Sequence, residues 1–192
     1  MPKILTRTVN LTNVRTRDAD ENGTRQVTGY ASVFNSPTII AGYYEETIAP
    51  GAFSRTLAEN DDIRALFNHD TGEVLGRTKA GTLSLQEDDH GLAFTLDLPD
   101  TQRGRDLAVL MERGDVNQCS FGFWPTVEEW DYSDPDQPKD TVRECDLMEI
   151  SIVTFPAYDD TEANLVRSDG QDVTLIKRRA KLIKQINEVI EK

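Results

Sequence analysis

A chain of 192 residues, 38% of them hydrophobic, is long enough for one domain with an appendage. Its formal net charge of −13 argues against nucleic acid as a partner, because neutralising phosphates takes a basic surface. No stretch approaches the ~18 apolar residues of a membrane span, and the start, "MPKILTRTVNL", lacks the long apolar region of a secretory signal, so the expectation is a soluble protein with no membrane partner.

The first third reads as β structure. "ILTRTVNLTNV" alternates, "RDADENG" is a turn, and "RQVTGYASVFN" returns as a second strand of a hairpin. "SPTIIAGYYEETIAP" continues with β-branched and aromatic residues, and "GAFSRTLAEN" spaces Phe53 and Leu57 for a short helix. "DIRALFNHD" is a strand with Ile63, Ala65, Phe67 and His69 on one face, a turn follows at "HDTG", and "TGEVLGRT" leads into the next segment. "AGTLSLQEDDHGLAFTLDLP" is a strand–turn–strand pair around Asp88 to Gly91. "DTQRGRDLAVLMERGDV" is helical, capped by Asp100 or Thr101, with Leu107, Leu110 and Met111 as its apolar stripe and Gly114 as its stop.

In the following "GDVNQCSFGF", Gln118, Ser120, Gly122 and Trp124 share one strand face, and Cys119, Phe121 and Phe123 share the other. After the polar loop "DYSDPDQPKD", "VRECDLMEISIVTFPAY" reads as the most buried strand, because both faces are apolar. From Pro156 the pattern loosens. The tail then spaces Leu175, Ile176, Leu182, Ile183, Ile186, Val189 and Ile190 as one helical stripe. Residues 174–192 carry a net +4 and the rest of the chain −17 of the total −13. This helix either docks on its own domain or meets a partner. The expected fold is mainly β with flanking helices (α+β), an antiparallel domain closed or nearly closed into a β-barrel, with a C-terminal amphipathic helix. The expected division is a body of residues 1–166, then a linker and basic helix over 167–192.

Cys119 and Cys145 fit neither a metal motif nor a disulfide framework and read as reduced core residues, and no cofactor or metal site is expected. His90, in the charged turn "EDDHG", reads as a solvated loop residue. His69 ends an apolar face and can be a structural histidine or a reactive one at the rim of the core. Glu149 stands among apolar neighbours, where an ionised carboxylate loses several kcal/mol of hydration unless paired. Its partner is either an arginine, such as Arg64 or Arg77, or His69.

Ser120, His69 and Glu149 together make a nucleophile–base–orienter set. A serine hydroxyl is a weak nucleophile until a base takes its proton. Imidazole, with a pKa of about 6.5, can accept that proton and return it to a leaving amine, and a carboxylate behind it holds the ring.

"GYASVFNSP", "APGAFSRTL", "IRALFNHD…VLGRT", "GLAFTLDLPDTQRGRDLAVLMERGDVNQCSFGF" and "LMEISIVTFPAY" occur in the order found in the prohead serine proteases of tailed bacteriophages, which the chain resembles from about Gly29 to Ala163. That family is distantly similar to herpesvirus assembly proteases, and the resemblance implies a β-barrel with surrounding helices and a histidine–serine active site. The family histidine falls on His69 in "NHD" and the nucleophile on Ser120 in "SFGF". Herpesvirus enzymes use a second histidine as third member. The matching late strand here has none, so Glu149 is the best-placed acid, with Asp146 and Asp70 as rivals. Gly122 would let a substrate carbonyl approach, and Arg143 is a candidate oxyanion donor.

The implied function is a serine endopeptidase that cleaves the scaffold, or the scaffolding segment of the major capsid protein, and itself during procapsid maturation. Self-association, the major capsid protein as partner, and a location in the host cytoplasm inside the procapsid follow from the same resemblance. The alternative is a non-catalytic capsid-assembly module that keeps the barrel.

Overall fold

The computed structural model describes residues 4–11, 15–17, 25–40, 42–60, 62–155 and 173–190. The expected turn after Arg17, the loose stretch from Pro156 and the expected boundary at 166/167 lie outside them. The described residues form strands β1 (Leu5–Asn10), β2 (Arg15–Arg17), β3 (Arg25–Val33), β4 (Thr38–Ile40) and β5 (Tyr44–Ile48), then helix α1 (Ser54–Glu59). Strands β6 (Arg64–Phe67), β7 (Asp70–Arg77), β8 (Leu83–Glu87) and β9 (Gly91–Leu98) precede helix α2 (Gln102–Glu112). The long strands β10 (Gln118–Asp131) and β11 (Lys139–Val153) and helix α3 (Val173–Ile190) complete the order.

Two sheets face each other across the core. One has seven strands, ordered β1-β10-β11-β5-β4, with β6 also on β11 and β7 on β6; the other has four, ordered β2-β3-β9-β8. Between them lie Val27 and Ala31 of β3, Leu92, Phe94 and Leu96 of β9, and Phe121, Phe123, Ile150 and Ile152 of β10 and β11. The protein is thus mainly β with a few helices, but among the described residues neither sheet closes on itself, so the ladders do not form the expected barrel. Nor is the pairing all antiparallel: β11 runs parallel to β5 over Lys139–Val142 and to β6 over Glu149–Ile152. The nearest approach to closure is a side-chain contact. Arg7 of edge strand β1 forms a paired ion bridge with Glu46 of β5, near the other edge, at 2.5 and 2.9 Å.

Two local expectations are corrected. The opening strand does not hairpin as a whole with its successor: only β2 pairs with β3, while β1 pairs with β10 in the other sheet. Alternation marks a strand but not its neighbour. The turn expected at "HDTG" falls earlier, at Asn68 and His69, and Asp70, Thr71 and Gly72 already belong to strand β7. Its Gly76 serves close packing, since a Cβ there would stand 2.5 Å from Leu96 Cδ1 and 3.1 Å from the Thr82 carbonyl oxygen.

The helices follow their signals. Thr101 caps α2 by accepting a hydrogen bond from the Gly104 N–H, Leu107 and Met111 are buried, and Gly114 turns the chain with φ +80°. Helix α3 docks on the body through Ile176, which packs with Ile40 and Tyr44, while Leu182 and Ile186 are exposed. Cys119 and Cys145 are free and buried, and burial pushes both thiols up from their ordinary range. Among the described residues no helix is long and apolar enough to cross a membrane.

Candidate active site

Phe121 and Ile150 point into the core, so their strand neighbours Ser120, Gly122, Glu149 and Ser151 point to the opposite face of the large sheet. Cross-strand register sets Ser120 beside Ser151 and Gly122 beside Glu149. The register then shifts, because Phe123 pairs with Leu147 and leaves Met148 as an extra residue on β11. That bulge corrects the simple alternation: Leu147 joins the core with Phe123, while Glu149 is turned to the other face.

His69 reaches the same face from the two-residue turn between β6 and β7, in which Phe67 pairs with Asp70. Both turn residues are left-handed, Asn68 at φ +52° and His69 at +59°. Such a turn favours Asn and Gly, and a histidine there needs support from its surroundings. The Asn68 N–H donates to the Ile152 carbonyl at 3.0 Å, and Asn68 Oδ1 accepts from the Thr154 N–H at 2.9 Å. The His69 N–H donates to Ser151 Oγ at 3.1 Å. From the other side, the Arg103 guanidinium of α2 lies over the Phe67 ring and bonds Glu73, tying α2 to this hairpin.

The side chains then meet. His69 Nδ1 is 2.7 Å from Glu149 Oε1, and Ser151 Oγ donates to Glu149 Oε2 at 2.6 Å. The Glu149 side chain is 11% exposed, so this carboxylate has given up most of its water and is stabilised by two directed donors instead. With Nδ1 as the donor, the free electron pair of the ring sits on Nε2. That nitrogen is buried and has no hydrogen-bond partner among the described residues. Neither arginine considered for Glu149 takes the role: Arg77 binds Asp62 at 2.5 Å and Arg64 lies 3.6 Å from the same carboxylate.

Ser120 lies on this face, fully buried, but its hydroxyl is not bonded to His69. Ser120 Oγ donates to the Arg7 carbonyl of β1 at 2.9 Å. The rival acids are engaged elsewhere, Asp146 with Arg55 at 2.6 Å and Asp70 with the Gly72 N–H at 2.8 Å. Arg143 pairs with Glu129 on the surface at 2.8 Å and belongs to the far part of β11, so it does not serve this site as an oxyanion donor. Ser151 escaped the sequence reading as a contributor. Its signal was a hydroxyl two residues from Glu149 in an otherwise apolar strand. Among the described residues no cluster of His, Cys, Asp or Glu could hold a metal ion.

Gly122 has a different task from the one expected. A Cβ built on it would stand 2.6 Å from Glu149 Oε1 and 3.0 Å from Ile4 Cγ2, so the bare backbone makes room for the carboxylate. Gly122→Ala is therefore expected to lower stability by about 1–3 kcal/mol through overpacking and to displace Glu149 from His69. Urea unfolding checks the first effect. A change within about 0.5 kcal/mol would mean that the carboxylate swings aside freely.

The chain was compared with known proteins. It matches the family described as caudovirus prohead serine protease over residues 12–175, most of its length. Among curated proteins no sequence matches. Among solved structures, the bacteriophage T4 capsid assembly protease, gp21, is similar in fold with a TM-score of 0.52, at 8% sequence identity, over 79% of this chain and 97% of that one. With the family matched across both long strands and the hairpin that bears His69, the chain belongs to the caudovirus prohead serine proteases.

Proposed function

We propose that this protein is a serine endopeptidase that cleaves the scaffolding segment of its capsid protein, and its own chain, within the immature shell. The observation that carries the reading is the His69–Glu149 pair, whose unpartnered Nε2 lies on the sheet face that also bears Ser120. Ser120 Oγ attacks the substrate carbonyl carbon while its proton passes to Nε2. His69 then protonates the leaving amine as the C–N bond breaks, giving an acyl-enzyme. Water, deprotonated by the same nitrogen, releases the acid and restores Ser120. Glu149 holds the tautomer with Nδ1–H toward itself and stabilises the imidazolium formed in each half. Confinement in a shell raises the local concentration of substrate and of other copies, which delays cutting until assembly.

One observation favours the alternative, a non-catalytic assembly module: Ser120 Oγ is bonded to a backbone carbonyl instead of to His69. Coexpression with the capsid protein separates the two. Wild type is expected to yield a shortened capsid protein and a shortened protease on denaturing gels, and His69→Ala neither. Full-length proteins in assembled wild-type procapsids would overturn the peptidase reading.

A further inference from the structure

The hydrogen bonds around His69 close on themselves. The His69 N–H donates to Ser151 Oγ at 3.1 Å, Ser151 Oγ–H donates to Glu149 Oε2 at 2.6 Å, and Glu149 Oε1 lies 2.7 Å from His69 Nδ1. The cycle leaves His69 through its backbone and returns through its ring. Its first donor decides where every proton in it goes. A backbone N–H can only donate, so it occupies a lone pair of the hydroxyl, whose own hydrogen is left for Glu149 Oε2. A carboxylate accepting at both oxygens then takes a hydrogen from Nδ1, and the neutral ring, which has only one, is bare at Nε2. Ser151 is the member of the cycle that is fixed from outside. It is fully buried, and its strand is laddered on both sides, with Ser151 opposite Ser120 of β10 and Leu66 of β6. His69 stands instead in a two-residue turn, with its backbone left-handed at φ +59°.

We propose that Ser151 is a positioning residue for His69: its hydroxyl, carried on the interior of the large sheet, fixes the backbone, the ring and the ring proton of the histidine together. For turnover this rests on the reading of His69 as the general base. Without the hydroxyl, Glu149 keeps one of its two donors, and the left-handed turn loses the acceptor of its N–H. The carboxylate and the ring then swing as a pair, and Nε2 holds its aim for only part of the time. Ser151 touches neither the substrate nor the reacting atoms. Its whole effect passes through His69 and Glu149.

The chain has only two histidines, so isotope-labelled histidine in the full chain gives two ring patterns by NMR, those of His69 and the exposed His90. Wild type is expected to show His69 with its hydrogen on Nδ1, exchanging slowly enough to appear as a signal of its own. Ser151→Ala, with its fold checked by backbone amide spectra, is expected to lose that signal to exchange. Its rate of cleaving the coexpressed capsid protein, followed by pulse-chase labelling, is expected to fall about 10²-fold, the effect of misplacing a reacting group by about 1 Å. Ser151→Thr keeps a hydroxyl and is expected to recover the ring signal and to cleave within about threefold of wild type. A wild-type ring with its hydrogen on Nε2 would overturn the proposal, whether or not either variant folds. So would a folded Ser151→Ala chain that keeps the wild-type ring signal or cleaves within about twofold of wild type. Cleavage by no form, beside ring signals that follow the expected pattern, would instead remove the peptidase reading and leave the positioning of His69 standing.

Discussion

Ser120→Ala is expected to end self-cleavage and capsid-protein cleavage while leaving a folded protein. In triad enzymes, removing the nucleophile alone costs about 10⁶ in kcat, almost as much as removing all three groups, because the base and its orienter have nothing to activate. Here the substitution deletes one hydroxyl and its bond to the Arg7 carbonyl, a net contribution of about 0.5–1.5 kcal/mol. The core side of β10 is untouched, since Cys119, Phe121 and Phe123 point the other way. The contrast to measure is therefore a loss of turnover by several orders of magnitude beside a small fall in denaturation midpoint. Undiminished cleavage by the alanine variant would show that another group attacks.

Glu149→Gln is expected to lower turnover by about 10⁴, the size of effect seen when a triad carboxylate becomes an amide of the same shape. The geometry supplies the reason. Both oxygens of Glu149 accept, one from His69 Nδ1–H and one from Ser151 Oγ–H. Glutamine has one oxygen and one NH₂, so it must present a donor to one of them. If the NH₂ faces His69, Nδ1 becomes the acceptor, the proton moves to Nε2, and the base is spent. If it faces Ser151, that hydroxyl must turn, and the His69 N–H that it receives is disturbed. A stability loss of about 1–3 kcal/mol accompanies either outcome. Single-turnover cleavage and urea unfolding on the same sample separate the roles. Normal turnover with lowered stability would make Glu149 a structural partner of the hairpin and nothing more.

Side-chain alternation carried much of this architecture. It separated Cys119, Phe121 and Phe123 from Ser120 and Gly122, and the ladder places them so. Strict alternation would put Leu147 on the face of Glu149, and it fails there because a repeat of two has no way to register the additional residue at Met148. His69 looked like the end of a strand for a related reason. A two-residue turn with both φ angles positive is announced by Asn or Gly, and histidine at its second place gives no local signal. The contact between His69 and Glu149 required the parallel pairing of β6 with β11, a non-local choice that composition does not encode. The Ser120–Arg7 bond was equally out of reach, since the opening strand alternates equally well beside β3 or β10. Gly122 drew notice as a glycine in a strand, yet what approaches it is a carboxylate of the same sheet.

The separations along the chain have a consequence for how the protein comes into being. His69 and Glu149 are 80 residues apart, and Arg7 and Ser120 are 113. Ribosomes lengthen a chain by about 5–20 residues per second from the N-terminus, and contacts spanning such distances form late. The acid proposed here is encoded in the last strand, and β1 must wait for β10 before it finds its neighbour. A nascent fragment that stops short of β10 therefore carries neither the proposed set of reacting groups nor a docked β1. Translation itself postpones cutting until β11 has been made.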